Sequence, residues 1–228
     1  MSILLSPRLA RIAAYVLPGE TVADVGTDHA YIPIWLLQTG VSARAFATDI
    51  RPGPLQNARC GAEKAGVAGA LTLYLCDGLA LCPPAEIDTV ILAGMGGETM
   101  ARILDAAPWA KEKRLILQPQ TRTAALRRYL AQNGLAVLDA ALVYDTGRIY
   151  LVWLAAKGRM EDGGSVDPVL LRKRDPLLKA YTEALLRRRG RQLAGLERAN
   201  NPDAARINAL RGEIEALKRI NREAAQWR

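Results

Sequence analysis

Histidine and phenylalanine each occur once in this 228-residue chain, and aromatic residues amount to only 5% of it. A single histidine excludes histidine-rich metal chemistry, and no metal is expected. So few aromatics leave no platform on which successive bases of a strand could stack. The cysteines, Cys60, Cys76 and Cys82, are odd in number and form no CxxC pair. That argues against a disulfide framework or a zinc site and fits a reducing cytosol. No run of about 18 apolar residues occurs, so no membrane partner is expected. The opening Met1-Ser2-Ile3-Leu4-Leu5-Ser6-Pro7-Arg8 lacks both a charged n-region and a long apolar stretch, so no signal peptide is read there and a cytoplasmic location is expected.

What is present is a hydrophobic half, enough to bury a sizeable core. Charge is unevenly spread. Residues 1–160 carry 16 Lys/Arg against 13 Asp/Glu, and residues 161–228 carry 15 against 10, so the net +8 divides as +3 and +5. The short C-terminal part is therefore the more basic per residue. Such a surface attracts polyanions through counterion release, or it serves solubility alone.

Along the chain, Ser6-Pro7 reads as an N-cap with proline at the first helical position, followed by Leu9, Ile12, Ala13 and Val16 at helical spacing. Strand and helix signals then alternate. Strands are predicted over 21–25, 43–48, 71–76, 89–92 and 114–117, and helices over 31–39, 53–65, 98–104 and 124–133. Two strand-like runs, 136–144 and 148–155, flank the turn Asp145-Thr146-Gly147. The expectation is an α/β fold: a Rossmann-like, doubly wound, mostly parallel sheet with an antiparallel last strand. After a polar linker, 158–167, the β pattern ends. Leu178, Tyr181, Leu185 and Leu193 mark an arginine-rich helix, Asn200-Asn201-Pro202-Asp203 breaks it, and Ile207, Leu210, Ile214 and Leu217 follow at 3-4-3 spacing. This predicts an antiparallel, coiled-coil-like helical hairpin of two helices of about 25 residues. The division expected is 1–160 for a cofactor-binding domain and 161–228 for the hairpin.

In a parallel sheet an adenosine cofactor lies across the C-terminal ends of the central strands. Each of those ends carries a signal here. Gly26 in Asp24-Val25-Gly26-Thr27-Asp28 lets the first turn approach a ligand closely. Asp49, 25 residues after Asp24, closes the second strand, where a carboxylate can take both ribose hydroxyls. Asp77 closes the third strand and could accept from an adenine amino group. Ala93-Gly94-Met95-Gly96-Gly97 follows the fourth as a bare backbone platform. A pyrophosphate site needs G-x-G-x-x-G, but Asp28 stands where the second glycine belongs and would repel phosphate. A sulfonium or an ammonium would suit it, and S-adenosylmethionine carries both. Asp28 could otherwise be a helix N-cap, His29 a neutral side chain bonded to a loop carbonyl, Tyr31 a core residue and Met95 a space-filler.

Four segments carry a resemblance: Leu5-Ser6-Pro7-Arg8-Leu9, Ala23-Asp24-Val25-Gly26-Thr27-Asp28-His29-Ala30-Tyr31-Ile32-Pro33, Ala93-Gly94-Met95-Gly96-Gly97 and Leu117-Gln118-Pro119. Together they resemble the bacterial tRNA (adenine(22)-N1)-methyltransferase family, class I enzymes that also carry a helical C-terminal extension. The resemblance implies methyl transfer from S-adenosyl-L-methionine to N1 of an adenine in the D-loop region of tRNA. It places Asp24, Gly26, Thr27, Asp28, Asp49, Ile50, Asp77, Gly78 and Gly94 around the cofactor. Asp28, His29, Tyr31 and Met95 then stand near the transferred methyl. Gln120 replaces the asparagine that the family tends to carry after Leu-Gln-Pro; the longer amide could keep that residue's hydrogen bond to substrate but shift the target base.

Candidate phosphate contacts are Arg8, Arg11, Arg122, Arg127, Arg128 and the run Arg187, Arg188, Arg189 and Arg191. The sparse aromatics favour a single flipped adenine entering one pocket. The expected partner is tRNA, and the expected assembly a monomer or weak homodimer. Two alternatives stay open at this point: a methyltransferase of small molecules or proteins that dimerises through the hairpin, and a non-catalytic RNA- or cofactor-binding protein.

Overall fold

A computed structural model describes residues 3–161, 163–199 and 203–227. The chain divides into two compact units, one of Met1–Asp139 with Val143–Met160 and one of Ala140–Leu142 with Glu161–Arg228.

The first unit opens with helix α1 (Pro7–Ala13) and continues as β1 (Val22–Val25), α2 (Tyr31–Gln38), β2 (Ala45–Asp49), α3 (Pro52–Ala65) and β3 (Leu71–Leu75). Then come β4 (Thr89–Gly96), α4 (Gly97–Ala106), β5 (Arg114–Thr121), α5 (Thr123–Gln132), β6 (Leu135–Asp145) and β7 (Arg148–Lys157). The seven strands form one sheet in the order β3-β2-β1-β4-β5-β7-β6. The pairs β1–β2, β1–β4, β2–β3 and β4–β5 are parallel, and β7 runs antiparallel to β5. The doubly wound sheet with an antiparallel last strand is thus as the alternating pattern predicts. Every residue of β1 and β2 is buried, because helices cover both faces of a parallel sheet. Ile12 and Ile34 from the helices and Ile91 and Ile116 from the strands, all fully buried, belong to one core cluster.

Two strands run past their expected ends. β4 runs on through Ala93-Gly94-Met95-Gly96, and β5 through Gln118-Pro119-Gln120-Thr121, where loops were expected. Glycine and proline disfavour strands, yet here the two segments pair with each other, Met95 opposite Pro119 and Gly96 opposite Thr121, across two register shifts. Ser6 is the N-cap of α1 by position, but its hydroxyl does not cap the helix; it donates to Asp145 Oδ2 at 2.7 Å. Thr146 (φ 45°) and Gly147 (φ 79°) both turn left-handed, the pair of conformations that a two-residue hairpin turn of the I′ type requires.

In the second unit, α6 (Pro168–Arg172) precedes α7 (Leu178–Glu197) and α8 (Ala204–Ala224). The short α6 was not expected. Asp167 caps it by accepting Val169 N–H, with Pro168 at the first helical position. Asp203 caps α8 through Arg206 N–H, as its place after the break suggests; residues 200–202 of that break lie outside the described residues. The two long helices span 20 and 21 residues, shorter than expected. They pack antiparallel: Asn221 Nδ2 donates to Lys179 O and Thr182 Oγ1, Arg189 pairs with Glu213, and Glu197 with Arg211. Ile207, Leu210 and Leu217 are buried and Ile214 half-buried, so the stripe read from the sequence lines this seam.

Candidate active site

The first strand delivers its turn to the C-terminal edge of the sheet. Gly26 and Thr27 both donate their N–H groups to Thr48 O, at 2.9 and 3.0 Å, which ties the turn to the end of β2. Gly26 sits at φ 71°, and a Cβ there would stand 3.1 Å from Met95 Cε. Asp24, only 7% exposed, accepts the Thr27 hydroxyl at 2.7 Å; the same hydroxyl oxygen accepts Ala30 N–H at 3.0 Å. Burial pushes the Asp24 carboxyl up to about 6, and the Thr27 hydrogen bond draws it part of the way back. A buried carboxylate held this way gains from a positive charge brought beside it. That suits the ammonium and sulfonium of S-adenosylmethionine and is hostile to a pyrophosphate.

The second and third strands supply the other acceptors. Asp49, 6% exposed, accepts Arg51 N–H on Oδ1 at 2.8 Å, so the carboxylate is oriented before any ligand hydroxyl arrives. Ile50 and Leu75, both exposed, flank it as apolar surface at the ends of β2 and β3. Asp77 is paired with Arg102 at 2.9 Å on the surface. Gly78 turns at φ 59° beside Ile103, its carbonyl taking the Thr48 hydroxyl at 2.7 Å.

The ends of β4 and β5 form the platform. Gly94 (φ 78°) donates its N–H to Gln118 Oε1 at 3.2 Å, and Arg8 Nη1 donates to the same oxygen at 2.9 Å. Gln118 is fully buried, and its Nε2 has no partner among the described residues. A Cβ on Gly94 would lie 3.8 Å from Arg8 Nη1 and 3.9 Å from Gln120 Nε2, so Gln120, itself exposed, borders the platform. Gly97 opens α4 where no side chain fits: a Cβ would meet Arg122 O at 2.8 Å and Leu126 Cβ at 2.9 Å.

Asp28 does not cap α2, contrary to one of the two roles open to it. The cap position is Ala30, left-handed at φ 52° and without a side-chain cap, and Asp28 points into solvent, its Oδ2 3.6 Å from His29 Nε2. Nor is Tyr31 a core residue. It is 45% exposed and stacks on His29 with ring centroids 5.1 Å apart. The exposed Asp28, the half-buried His29 and the exposed Tyr31 thus lie together where β1 turns into α2.

The arginines separate into two groups. Arg8 is engaged with Gln118 and lies over the Tyr150 ring at 5.2 Å; Arg11 donates to Tyr15 and sits 3.7 Å from Asp139. Arg122, left-handed at φ 56°, pairs with Glu98, and Arg189 joins Glu213 at 2.8 Å across the helical seam. Arg127 is half-buried, whereas Arg128, Arg187, Arg188 and Arg191 are exposed. Sequence reasoning missed Thr48, Gln118, Asp145 and Tyr150. Gln118 stood within a recognised segment, but a glutamine amid the apolar run of a strand shows no spacing that sets it apart. Among the described residues, no group of three or more His, Cys, Asp or Glu side chains could hold a metal ion.

Known proteins share this sequence pattern and fold. A methyltransferase-domain family model matches residues 5–153. The chain is 33% identical over 193 residues to the tRNA (adenine(22)-N(1))-methyltransferase of Bacillus subtilis, covering 79% of this chain and 81% of that one. The crystal structure of the B. subtilis m1A22 tRNA methyltransferase superposes with a TM-score of 0.86 at 27% identity, over 96% of this chain and all of that one. A Streptococcus pneumoniae protein solved in complex with S-adenosyl-L-methionine superposes with a TM-score of 0.80 at 28% identity, again over 96% of this chain and all of that one. On this identity and coverage, the chain belongs to the tRNA (adenine(22)-N1)-methyltransferase family.

Proposed function

We propose that this chain methylates N1 of adenine 22 in tRNA, using S-adenosyl-L-methionine. The observation that carries the reading is the buried carboxylate of Asp24, two residues before the Gly26 turn that packs on Met95, at the sheet edge that also presents Asp49 and Gly94. S-adenosylmethionine supplies an electrophilic methyl carbon on a positively charged sulfur. Asp24 and the Gly26 turn would hold its charged end, Asp49 its ribose, and Ile50 with the Asp77–Gly78 turn its adenine.

Adenine N1 carries a lone pair and no proton, so no side chain has to act as a strong base. The work left to the chain is alignment, worth several kcal/mol when reacting atoms are held in line. The His29–Tyr31 stack offers one face for a flipped base, and Gln120 an amide for its edge. Methylation leaves the purine positive, and the Asp28 carboxylate beside that stack would favour the charge as it forms. The exposed Arg187, Arg188 and Arg191 of the helical unit would bind tRNA phosphates. The reading is of work in the cytoplasm as a monomer or weak homodimer; no described helix is long and apolar enough to cross a membrane.

The test is transfer of labelled methyl to tRNA lacking the modification, with the modified base mapped. Incorporation confined to N1 of adenine 22 supports the reading. No incorporation into any tRNA pool, by protein that binds S-adenosylmethionine, overturns it.

A further inference from the structure

Arg8 belongs by position and charge to the residues expected to grip tRNA phosphate, yet its guanidinium is turned inward. It donates to Gln118 Oε1 at 2.9 Å and covers the Tyr150 ring. Its backbone N–H and the Ser6 hydroxyl both donate to Asp145 Oδ2, at 3.2 and 2.7 Å. The start of α1 is thereby pinned to the turn that joins β6 to β7. Gln118 has no exposure, and two N–H donors, from Gly94 and Arg8, converge on its one amide oxygen. This settles which end of the amide is oxygen, because a reversed amide would set donor against donor. Its Nε2 is left buried and without a partner among the described residues, a cost that the two bonds to its oxygen offset.

We infer that Arg8 and Gln118 are positioning residues for methyl transfer: the guanidinium holds the Gln118 amide, and the amide oxygen holds the Gly94 N–H and with it the left-handed turn of the platform. Arg8 is then no phosphate contact. Gly94 at φ 78° begins a glycine-rich stretch with no side chain of its own to hold it. Its N–H bond to Gln118 ties it to the buried end of β5. Losing the arginine frees the amide to rotate, and the platform shifts and carries Met95 with it. Substrate affinity does not pass through this hydrogen bond, but alignment of the reacting atoms does.

The inference rests on the proposed tRNA activity for its kinetic arm and on Gly94 itself for its structural arm. Arg8→Met keeps the stem over Tyr150 and removes the donors; Arg8→Lys restores one donor and the charge; Gln118→Leu removes the acceptor from the other side. In Arg8→Met, kcat is expected to fall at least tenfold, with KM for tRNA and the salt dependence of tRNA binding unchanged. Hydrogen exchange at the Gly94 amide, read by NMR, should become faster. Arg8→Lys should recover part of both, and Arg8→Met with Gln118→Leu should cost no more than either alone. A phosphate-binding role would instead raise KM, lower the salt slope by about one and leave Gly94 exchange untouched, and that result overturns the inference. If the wild type transfers no methyl to tRNA, the functional reading fails, and Gly94 exchange in the three variants still decides the clamp. If one single variant does not fold, the other, at the opposite end of the same hydrogen bond, decides it.

Discussion

Thr27 holds Asp24 from above: its hydroxyl donates to Asp24 Oδ2 at 2.7 Å while its oxygen receives the Ala30 amide at 3.0 Å. One small side chain therefore both fixes a buried carboxylate and supports the left-handed residue that starts α2.

The raised proton affinity of Asp24 makes ligand binding pH-dependent. Its folded value, about 6, lies above the ordinary 3.8, so it adds stability below about pH 4 that disappears as the pH rises through 6. Asp24→Asn should remove that dependence and raise the stability of ligand-free protein at pH 7.5 by up to about 3 kcal/mol. A cationic ligand favours the charged form, so S-adenosylmethionine should expel a proton on binding at pH 5.5 and none at pH 8. Titration calorimetry in two buffers of different ionisation heat measures this. An equal heat in both buffers at pH 5.5 would count against it.

Gly26→Ala must adopt φ near 71° and displace the end of Met95. The methyl can move aside; the backbone cannot. A loss of about 1–2 kcal/mol on urea unfolding is expected, with weaker S-adenosylmethionine binding.

Gly97→Ala is expected to be worse. The new methyl would sit 2.8 Å from Arg122 O and 2.9 Å from Leu126 Cβ, neither of which has a rotamer to give. Overpacking of this kind costs about 1–3 kcal/mol or more. It should push α5 away from α4 and lower the melting temperature more than Gly26→Ala does.

The arginine run on α7 should divide by exposure. Replacing Arg187, Arg188 and Arg191 together by alanine should weaken tRNA binding and reduce its salt slope by about 0.9 for each phosphate that is no longer neutralised. S-adenosylmethionine binding should stay as it was. Arg189→Ala should leave the salt slope alone, because that side chain is spent on Glu213, and cost under about 1 kcal/mol of stability. Filter binding over a range of salt separates the two.

Much of this architecture is legible in the chain because local and long-range demands agree. The βα alternation, the Thr146-Gly147 turn and the Asp203 cap each follow from a residue type whose local preference matches its place in the fold. Where they conflict, the sequence misleads. Gly94 to Gly96 and Pro119 read as loop, yet the pairing of β4 with β5 draws both into the sheet. Ala30 and Arg122 adopt left-handed conformations that neither residue favours, each at the start of a helix beside the site. Arg8 reads as one more surface cation because its partners, Gln118 and Asp145, lie 110 and 137 residues away. No spacing rule reaches that far.

That distance has a consequence for how the protein comes into being. Ser6 and Arg8 leave the ribosome early, and the carboxylate that receives them, on Asp145, emerges only once nearly the whole sheet has been made. Until the final hairpin closes, α1 has no anchor at its start and the guanidinium has no fixed place beside Gly94. A nascent chain that has buried its central strands would bring Gln118 to Gly94 and still lack the anchor that sets Arg8 against them.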